Sequence, residues 1–392
     1  MPRRSLALTV AAALAAVAAP VLFAGPAAAA PADQIRVATF NASLNRAVQG
    51  ELVADLSNPD DPQAREVAEV VQRVRPDVLL INEFDYAPAA VDLFRDNYLE
   101  RGQNGAQPIE YPHAFIAPSN TGVPSGFDLN NNGTVGGPDD ALAFGLFPGQ
   151  YGMLVLSRFP IDTAAVRTFQ NFLWKDLPGA RLPAGGYYTP EELAVLPLSS
   201  KSHWDVPVRV GKRTVHVLAS HPTPPTFDGP EDRNGLRNAD EIAFWRQYVQ
   251  PGKAADALYD DKGKRGGLGG GERFVILGDQ NSDPLDGDSL PGAAQQILTA
   301  HRVIDSAPGS DGAVEAAQLQ GGPNLTHRGD PRLDTADFGE PAPGNLRVDY
   351  VLPSKPMDVV GSGVFWPVKA DPLARLNDAS DHHATWVDLR VK

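Results

Sequence analysis

Six short runs of aliphatic and β-branched residues, each closing on polar or charged side chains, set the pattern of this chain: IRVATFN (35–41), DVLLINE (77–83), GMLVLSR (152–158), TVHVLASH (214–221), RFVILGDQN (273–281) and RVDYVLP (347–353). Their length and composition predict strands. Between the first two, Val67, Val70, Val71 and Val74 recur at helical spacing in DPQAREVAEVVQRVRP. Pro62 suits a first helical turn and Pro76 ends it. A second amphipathic stretch, 239–249, follows TVHVLASH, so helices alternate with strands as in the α/β class.

The polar residues fall at the ends of these runs. Asn41, Glu83, His221, Asp279 with Asn281, and Asp381 with His382 each stand where an apolar run hands over to a loop. Strand ends collected on one rim place such side chains around a common crevice. Two long segments interrupt the pattern. Residues 101–150 are rich in Gly, Pro and Asn; 169–205 carry Phe169, Phe172, Trp174, Tyr187, Tyr188 and Trp204. Both are expected to be insertions beside the rim. The aromatic one is either a wall for a ligand or a set of rings gluing the insertion to the core. No repeat at a solenoid or propeller period is present.

Residues 1–30 read as an export signal: Arg3 and Arg4, an apolar run from Leu6 to Phe23, and small residues at 28–30. A secreted, extracellular protein is therefore expected, with 31–392 as one large domain carrying the two insertions. Arg3 and Arg4 are the only charged residues of the leader. Its removal takes 34 basic residues to 32 against 48 acidic, and the net charge from −14 to −16. An acidic monomer follows, without a membrane span after removal of the leader. There is no basic stripe for non-specific nucleic-acid binding. The one basic knot, Lys262, Lys264 and Arg265, lies in a Gly-rich run that reads as a surface loop. With no cysteine at all, stability must come from a full-sized core, from bound metal, or from both.

In the first insertion, DLNNNGTVGGPD (128–139) fits the D-x-[DN]-x-[DN]-G pattern followed by five residues and an acid. Alternate oxygens from Asp128, Asn130, Asn132, Thr134 and Asp139 can wrap a hard cation, and Gly133 permits the sharp turn. The segment resembles the calcium loop of dockerin repeats. A structural Ca²⁺ that orders a long loop is the expectation.

The rim holds what phosphoester hydrolysis needs: a cation site, a group to orient water, donors for phosphate oxygens and an acid near the leaving group. Glu83 is placed to ligate Mg²⁺ or Mn²⁺, with Asn41 as a neutral neighbouring oxygen. Asp279 and Asn281, two residues apart, share one side of an extended chain. Asp381 and His382 pair a carboxylate with an imidazole, Asp349 is available to fix that imidazole's tautomer, and His221 adds a second ring.

The ordered set TFN, NEF, LSRFPI, SHP, GDQNSDP, RVDYVLP, SDHH resembles the endonuclease/exonuclease/phosphatase superfamily from about residue 35 to the end, apart from the insertions. The resemblance implies a four-layered α/β (α+β) sandwich, with two packed mixed β-sheets flanked by helices. It implies Glu83 as metal-binding glutamate, Asn41 as the asparagine after the first strand and Asp381 as a metal or water ligand. Asp279 and Asn281 become the water-orienting and phosphate-holding pair, and Asp349 with His382 the pair flanking the phosphate. His221 matches the second histidine of the deoxyribonuclease and sphingomyelinase branches. Further candidates for substrate contact are Lys201, His203, Arg233, Asn234, Arg237 and His327; surface pairing with Glu231, Asp232 and Asp240 is the alternative for the arginines.

The reading is a secreted metal-dependent phosphoesterase, a nuclease or a scavenger of small phosphoesters. The alternatives are a sphingomyelinase-type phosphodiesterase and a non-catalytic, calcium-dependent binding module on the same scaffold.

Overall fold

The computed structural model describes residues 34–339 and 342–392; the expected export signal lies outside the described residues. Two sheets carry the fold. The first runs β12-β13-β1-β2-β4-β3, with β1 Gln34–Asn41, β2 Val78–Asn82, β3 His113–Phe115, β4 Met153–Ser157, β12 Met357–Val364 and β13 Thr385–Val391. The second runs β11-β8-β7-β6-β5, with β5 Arg167–Thr168, β6 His203–Val210, β7 Arg213–Ser220, β8 Arg273–Asp279 and β11 Asp349–Pro353. A short ladder of β9 Ala336–Asp337 and β10 Asn345–Leu346 stands apart.

Side-chain alternation explains the layers. Ile35, Val37, Val78, Leu80, Val155, Val387 and Leu389 of the first sheet meet Val206, Val217, Val275, Leu277 and Val351 of the second in one buried inter-sheet core. The alternate residues Ala38, Phe40, Leu79, Ile81, Leu154 and Leu156 face outward onto the helix Pro62–Val74, through Val67, Val70, Val71 and Val74. Leu218, Phe274, Ile276, Tyr350 and Leu352 likewise meet the helix Arg233–Val249. Both faces of the central strands are thus covered, which is why they read as near-continuous apolar runs. The result is the four-layered sandwich expected.

Helix ends obey the local chemistry. Asp61 caps Pro62–Val74 by accepting from the Ala64 amide at 2.7 Å, and Arg75 leaves the helix in the left-handed region just before Pro76. The second helix begins at Arg233, six residues before the amphipathic stretch that marked it.

Register decides where the polar strand ends go. β1 and β2 run parallel with Asn41 beside Asn82, and β7 and β8 run parallel in the other sheet. Their C-terminal ends therefore share one edge. β13 is antiparallel to β1, and β11 to β8, so the N-terminal ends of these two strands arrive at the same edge. Asn41, Glu83, His221, Asp279, Asp349 and His382 converge there from residues far apart in sequence.

Candidate active site

Asp279, the last residue of β8, is the centre of the rim. Its backbone N–H donates to Asn82 Oδ1 at 3.1 Å and its Oδ1 accepts from the Asn281 amide at 2.7 Å. Its Oδ2 faces three groups: Asn41 Nδ2 at 3.2 Å, His221 Nε2 at 3.3 Å and His382 Nε2 at 3.7 Å. Gly278, at φ 133°, makes this approach possible. A Cβ there would fall 2.0 Å from the Ser220 carbonyl oxygen, so β7 and β8 could not bring His221 and Asp279 together with any larger residue.

His382 bridges two acids. Its Nδ1 lies 2.8 Å from Asp349 Oδ2, which also accepts from Thr335 Oγ1 at 2.9 Å, while Nε2 looks toward Asp279. Burial opposes charge on this ring, but the two carboxylates overcome it and hold its pKa well above the usual histidine value. Burial also works against the Asp279 anion, yet the His382 charge and the His221 hydrogen bond keep its carboxyl below the ordinary range. The Asp349 carboxyl is pushed up by burial. His221 is driven down to about 4, first by burial and then by the Lys201 charge, so it is neutral at pH 7. The rim thus carries an anion at Asp279, a cation at His382 and a neutral imidazole at His221.

Glu83 and Asn281 both adopt positive φ, 60° and 50°. Asparagine tolerates this; for a glutamate the left-handed region costs about 1–2 kcal/mol. The strain turns Glu83 from the end of β2 toward Asn41, whose Nδ2 lies 3.1 Å from Glu83 Oε1. Asn281 Nδ2 donates to the Pro222 carbonyl at 3.0 Å, tying the loop after β8 to the loop that follows His221.

The candidate metal residues are placed as follows. Asn41 presents its amide nitrogen to Glu83 and Asp279 while its Oδ1 accepts from the Ser43 amide at 3.2 Å. It bridges two carboxylates in this structure, with its oxygen turned to Ser43. Asp381 is exposed and reaches Ser43 Oγ at 3.3 Å, at the mouth of the site. Glu83 itself fits a hard cation: burial raises its carboxyl pKa, and Asn41 is its one side-chain hydrogen-bond donor among the described residues. Asp279, Asp349 and His382 also bring donor atoms within 4.8 Å of one another. With one carboxylate at each ring nitrogen, a shared proton accounts for that group better than an ion.

Lys201 also reaches the site. It is 6% exposed and makes no ion pair among the described residues; burial pulls its pKa down, and the charges around it are those of Glu241, Glu83, Asp279 and Arg237. The remaining substrate candidates are taken up elsewhere. His203 is fully buried, with Nδ1 2.5 Å from Ser199 Oγ, Nε2 2.9 Å from the Glu241 carbonyl, and its ring against Phe244 and Trp245. The Arg237 guanidinium donates to the carbonyls of Leu198, Leu142 and Pro197. Arg233 pairs with Glu231, Asn234 donates to the Thr226 carbonyl at 2.7 Å, and His327 lies 2.9 Å from the Pro343 carbonyl. Their local partners pin loops and leave no donor set aimed at the rim. The rings Phe169, Phe172 and Trp174 are buried, the first two against Phe244. These three rings attach the insertion to the core.

The residues that position the rim were not marked in the sequence. Asn82 accepts from Thr39 Oγ1 and from Asp279, and donates to the Ser220 carbonyl, joining the two sheets under the site. Thr335 Oγ1 accepts from the amides of Val348 and Asp349. Ser380 Oγ donates to the Asn41 carbonyl at 2.8 Å. Tyr151, at φ 56°, stands beside Glu83 and Asp85.

In the 128–140 loop, Asp128 accepts from the amides of Asn132 and Gly133, Asn130 from Asn132, and Asn132 from Thr134. The acid gathered into it is Asp140, which accepts from Leu129 and Gly136; the expected Asp139 is exposed. The acid thus falls one residue later than the motif suggested.

The model of the Endonuclease/Exonuclease/phosphatase family matches residues 38–382. No curated protein matches the sequence. Among solved structures, an endonuclease/exonuclease/phosphatase from Beutenbergia cavernae is 18% identical, covering 92% of this chain and 72% of its own, with a TM-score of 0.48. The human Nocturnin catalytic domain with a bound sulfate anion is 13% identical over 92% and 95%, at 0.47. Sphingomyelinase C from Streptomyces griseocarneus is 15% identical over 91% and 99%, at 0.44.

Proposed function

The chain belongs to the endonuclease/exonuclease/phosphatase family, whose members are hydrolases of phosphoester bonds, and from that premise we propose that it is a secreted, divalent-metal-dependent phosphoesterase acting on nucleic acid or small phosphodiesters. The observation that carries this reading is the convergence of Asn41, His221 and His382 on one oxygen of Asp279.

Glu83, with Asp381 at the mouth, would hold Mg²⁺ or Mn²⁺. When bound, such an ion neutralises phosphate charge and polarises the P–O bond. Asp279, kept anionic and fixed by the Asn82 and Asn281 contacts, accepts a hydrogen bond from the attacking water and aligns it. The His382 cation, oriented by Asp349, stabilises negative charge growing on the phosphoryl oxygens. Neutral His221 and the free N–H of Asn281 add donors, and buried Lys201 supplies a further positive charge. In the same reading the 128–140 loop takes a structural Ca²⁺, with Asp140 as its acid. No helix among the described residues is long and apolar enough to cross a membrane.

The test is turnover of plasmid DNA, bis-p-nitrophenyl phosphate, p-nitrophenyl phosphate and sphingomyelin with Mg²⁺, Mn²⁺ or Ca²⁺. Activity on DNA or the bis-ester that disappears with chelator supports the proposal. A preference for sphingomyelin moves it to the phospholipid-type diesterase. Inactivity on the whole panel overturns it in favour of a binding module.

A further inference from the structure

The two imidazoles of the rim are held in different ways. His382 meets an acid at each ring nitrogen, so side chains set its orientation. His221 faces Asp279 through Nε2, but its Nδ1 is buried without a partner among the described residues. A functional histidine is ordinarily oriented by the group that its second nitrogen binds. The His221 ring has no such group, so the backbone that carries it has to be fixed instead.

That backbone is bound along its length. The His221 carbonyl accepts from Ser200 Oγ at 3.2 Å, the Pro222 carbonyl from Asn281 Nδ2 at 3.0 Å and the Thr223 carbonyl from Asn238 Nδ2 at 2.8 Å. The Thr223 amide donates to Glu241 Oε2 at 2.7 Å. Glu241 is the hub of these contacts. It is 1% exposed, and its Oε1 accepts from the Ser200 amide at 2.6 Å and lies 3.0 Å from Ser200 Oγ, whose single proton is shared between Glu241 and the His221 carbonyl. One carboxylate thus joins the segment before β6 to the segment after β7. Its own place is secured because the Glu241 carbonyl lies 2.9 Å from His203 Nε2, and the His203 ring packs on Phe244 and Trp245 of the same helix. Donors on both oxygens suit the ionised carboxylate, which only accepts, and the charges of Arg237 and Lys201 stand near it.

We infer that Glu241 is a positioning residue for His221: from the helix Arg233–Val249 it clamps the His221–Thr223 backbone, so that a ring with one free nitrogen stays aimed at Asp279. Its effect on turnover rests on the phosphoesterase reading; its hold on the ring does not.

The experiment uses the full chain with Glu241→Gln, which keeps the shape but turns one acceptor oxygen into an NH₂ that faces a donor. With Mg²⁺ or Mn²⁺ and bis-p-nitrophenyl phosphate, kcat is expected to fall about 10- to 100-fold, with KM changing less. Because Glu241 acts through the ring, the same substitution in a His221→Ala background should change kcat by less than about 2-fold. Asp240→Asn is the control. That buried carboxylate, one residue away, accepts from Trp174 Nε1 and the Arg181 amide, so its loss should lower stability and leave kcat unchanged. An equal fall with and without His221 would overturn the inference and make Glu241 a counter-ion for Lys201 and Arg237. A second readout needs no turnover. In protein labelled with ¹⁵N-histidine, the His221 ring signals, identified by their loss in His221→Ala, should shift or broaden in Glu241→Gln; signals unmoved in position and width would overturn the clamp. Should Glu241→Gln not fold, Ser200→Ala, which keeps the charge and removes the shared hydroxyl, carries both measurements with a smaller change expected in the same direction. A displaced His221 ring in a chain inactive on every substrate would remove the phosphoesterase reading and keep the clamp.

Discussion

Asp279 and Asp349 stand directly opposite each other in the antiparallel register of β8 and β11. Two carboxylates so placed repel, and the imidazole of His382, with Nδ1 on Asp349 and Nε2 toward Asp279, is the cation between them. His382→Ala removes that cation and should lower turnover of bis-p-nitrophenyl phosphate by about 10²–10⁴-fold, the range of a lost acid–base or charge-stabilising group. Asp349→Asn should cost less, since the ring stays in place and loses mainly its orientation and charge. Near-normal rates for His382→Ala, with circular dichroism unchanged, would remove the histidine from the chemistry.

Asn82 gives a test of positioning. It is fully buried and its Oδ1 accepts the Asp279 amide, so Asn82→Ala leaves that amide without a partner. The expected loss is about 1–3 kcal/mol of stability, read by urea denaturation, with a fall in kcat larger than any change in KM because Asp279 is no longer held. An Asn82→Ala protein with wild-type kcat would show that Asp279 is fixed by the Asn281 contact alone.

The site's outline was legible because parallel pairing forces strand ends onto one edge, and the residues ending the apolar runs announce themselves by polarity. Glu83, His221, Asp279 and His382 were all visible in this way, while Asp349, at the start of its strand, was marked only as a partner for the imidazole. Asn82 was not, since an asparagine inside VLLIN reads as part of a strand and nothing local marks its reach into the other sheet. Arg237 and His203 misled for the opposite reason. A cation or an imidazole near a site suggests a ligand until burial shows its donors spent on carbonyls. The strand β12 escaped notice because Gly361 and Gly363 weaken its pattern; the Trp386 ring lies across both and replaces the missing side chains. The aromatic insertion read as either a ligand wall or a glue to the core, and Phe169 and Phe172, packed on Phe244, take the second role.

Lys201 separates binding from folding. Its ammonium is buried beside Glu241, Glu83 and Asp279 without an ion pair among the described residues, while Glu241 is hydrogen-bonded by Ser200 and Thr223. Lys201→Met should therefore leave the fold intact. Inhibition by inorganic phosphate should weaken about 10-fold or more, as expected when one charge-assisted contact of about 1.5–3 kcal/mol is lost. Unchanged phosphate inhibition would place Lys201 outside the substrate's reach.

The Asp334 carboxyl predicts how stability follows pH. Burial, then the charges of Asp283, Asp286 and Asp330, raise its pKa from 3.8 to about 8 in the folded chain. The folded state thus holds a proton that the unfolded state releases near pH 4. The stabilisation is complete below that value and is lost as pH rises toward 8. In this window the chain should lose at most about 1.4 kcal/mol of stability per pH unit through Asp334. Asp334→Asn cannot release the proton, so its urea midpoint should fall less between pH 5 and pH 8 than that of the unsubstituted chain. Parallel pH profiles for the two proteins in chelator would mean that Asp334 stays ionised throughout, with its charge relieved by solvent.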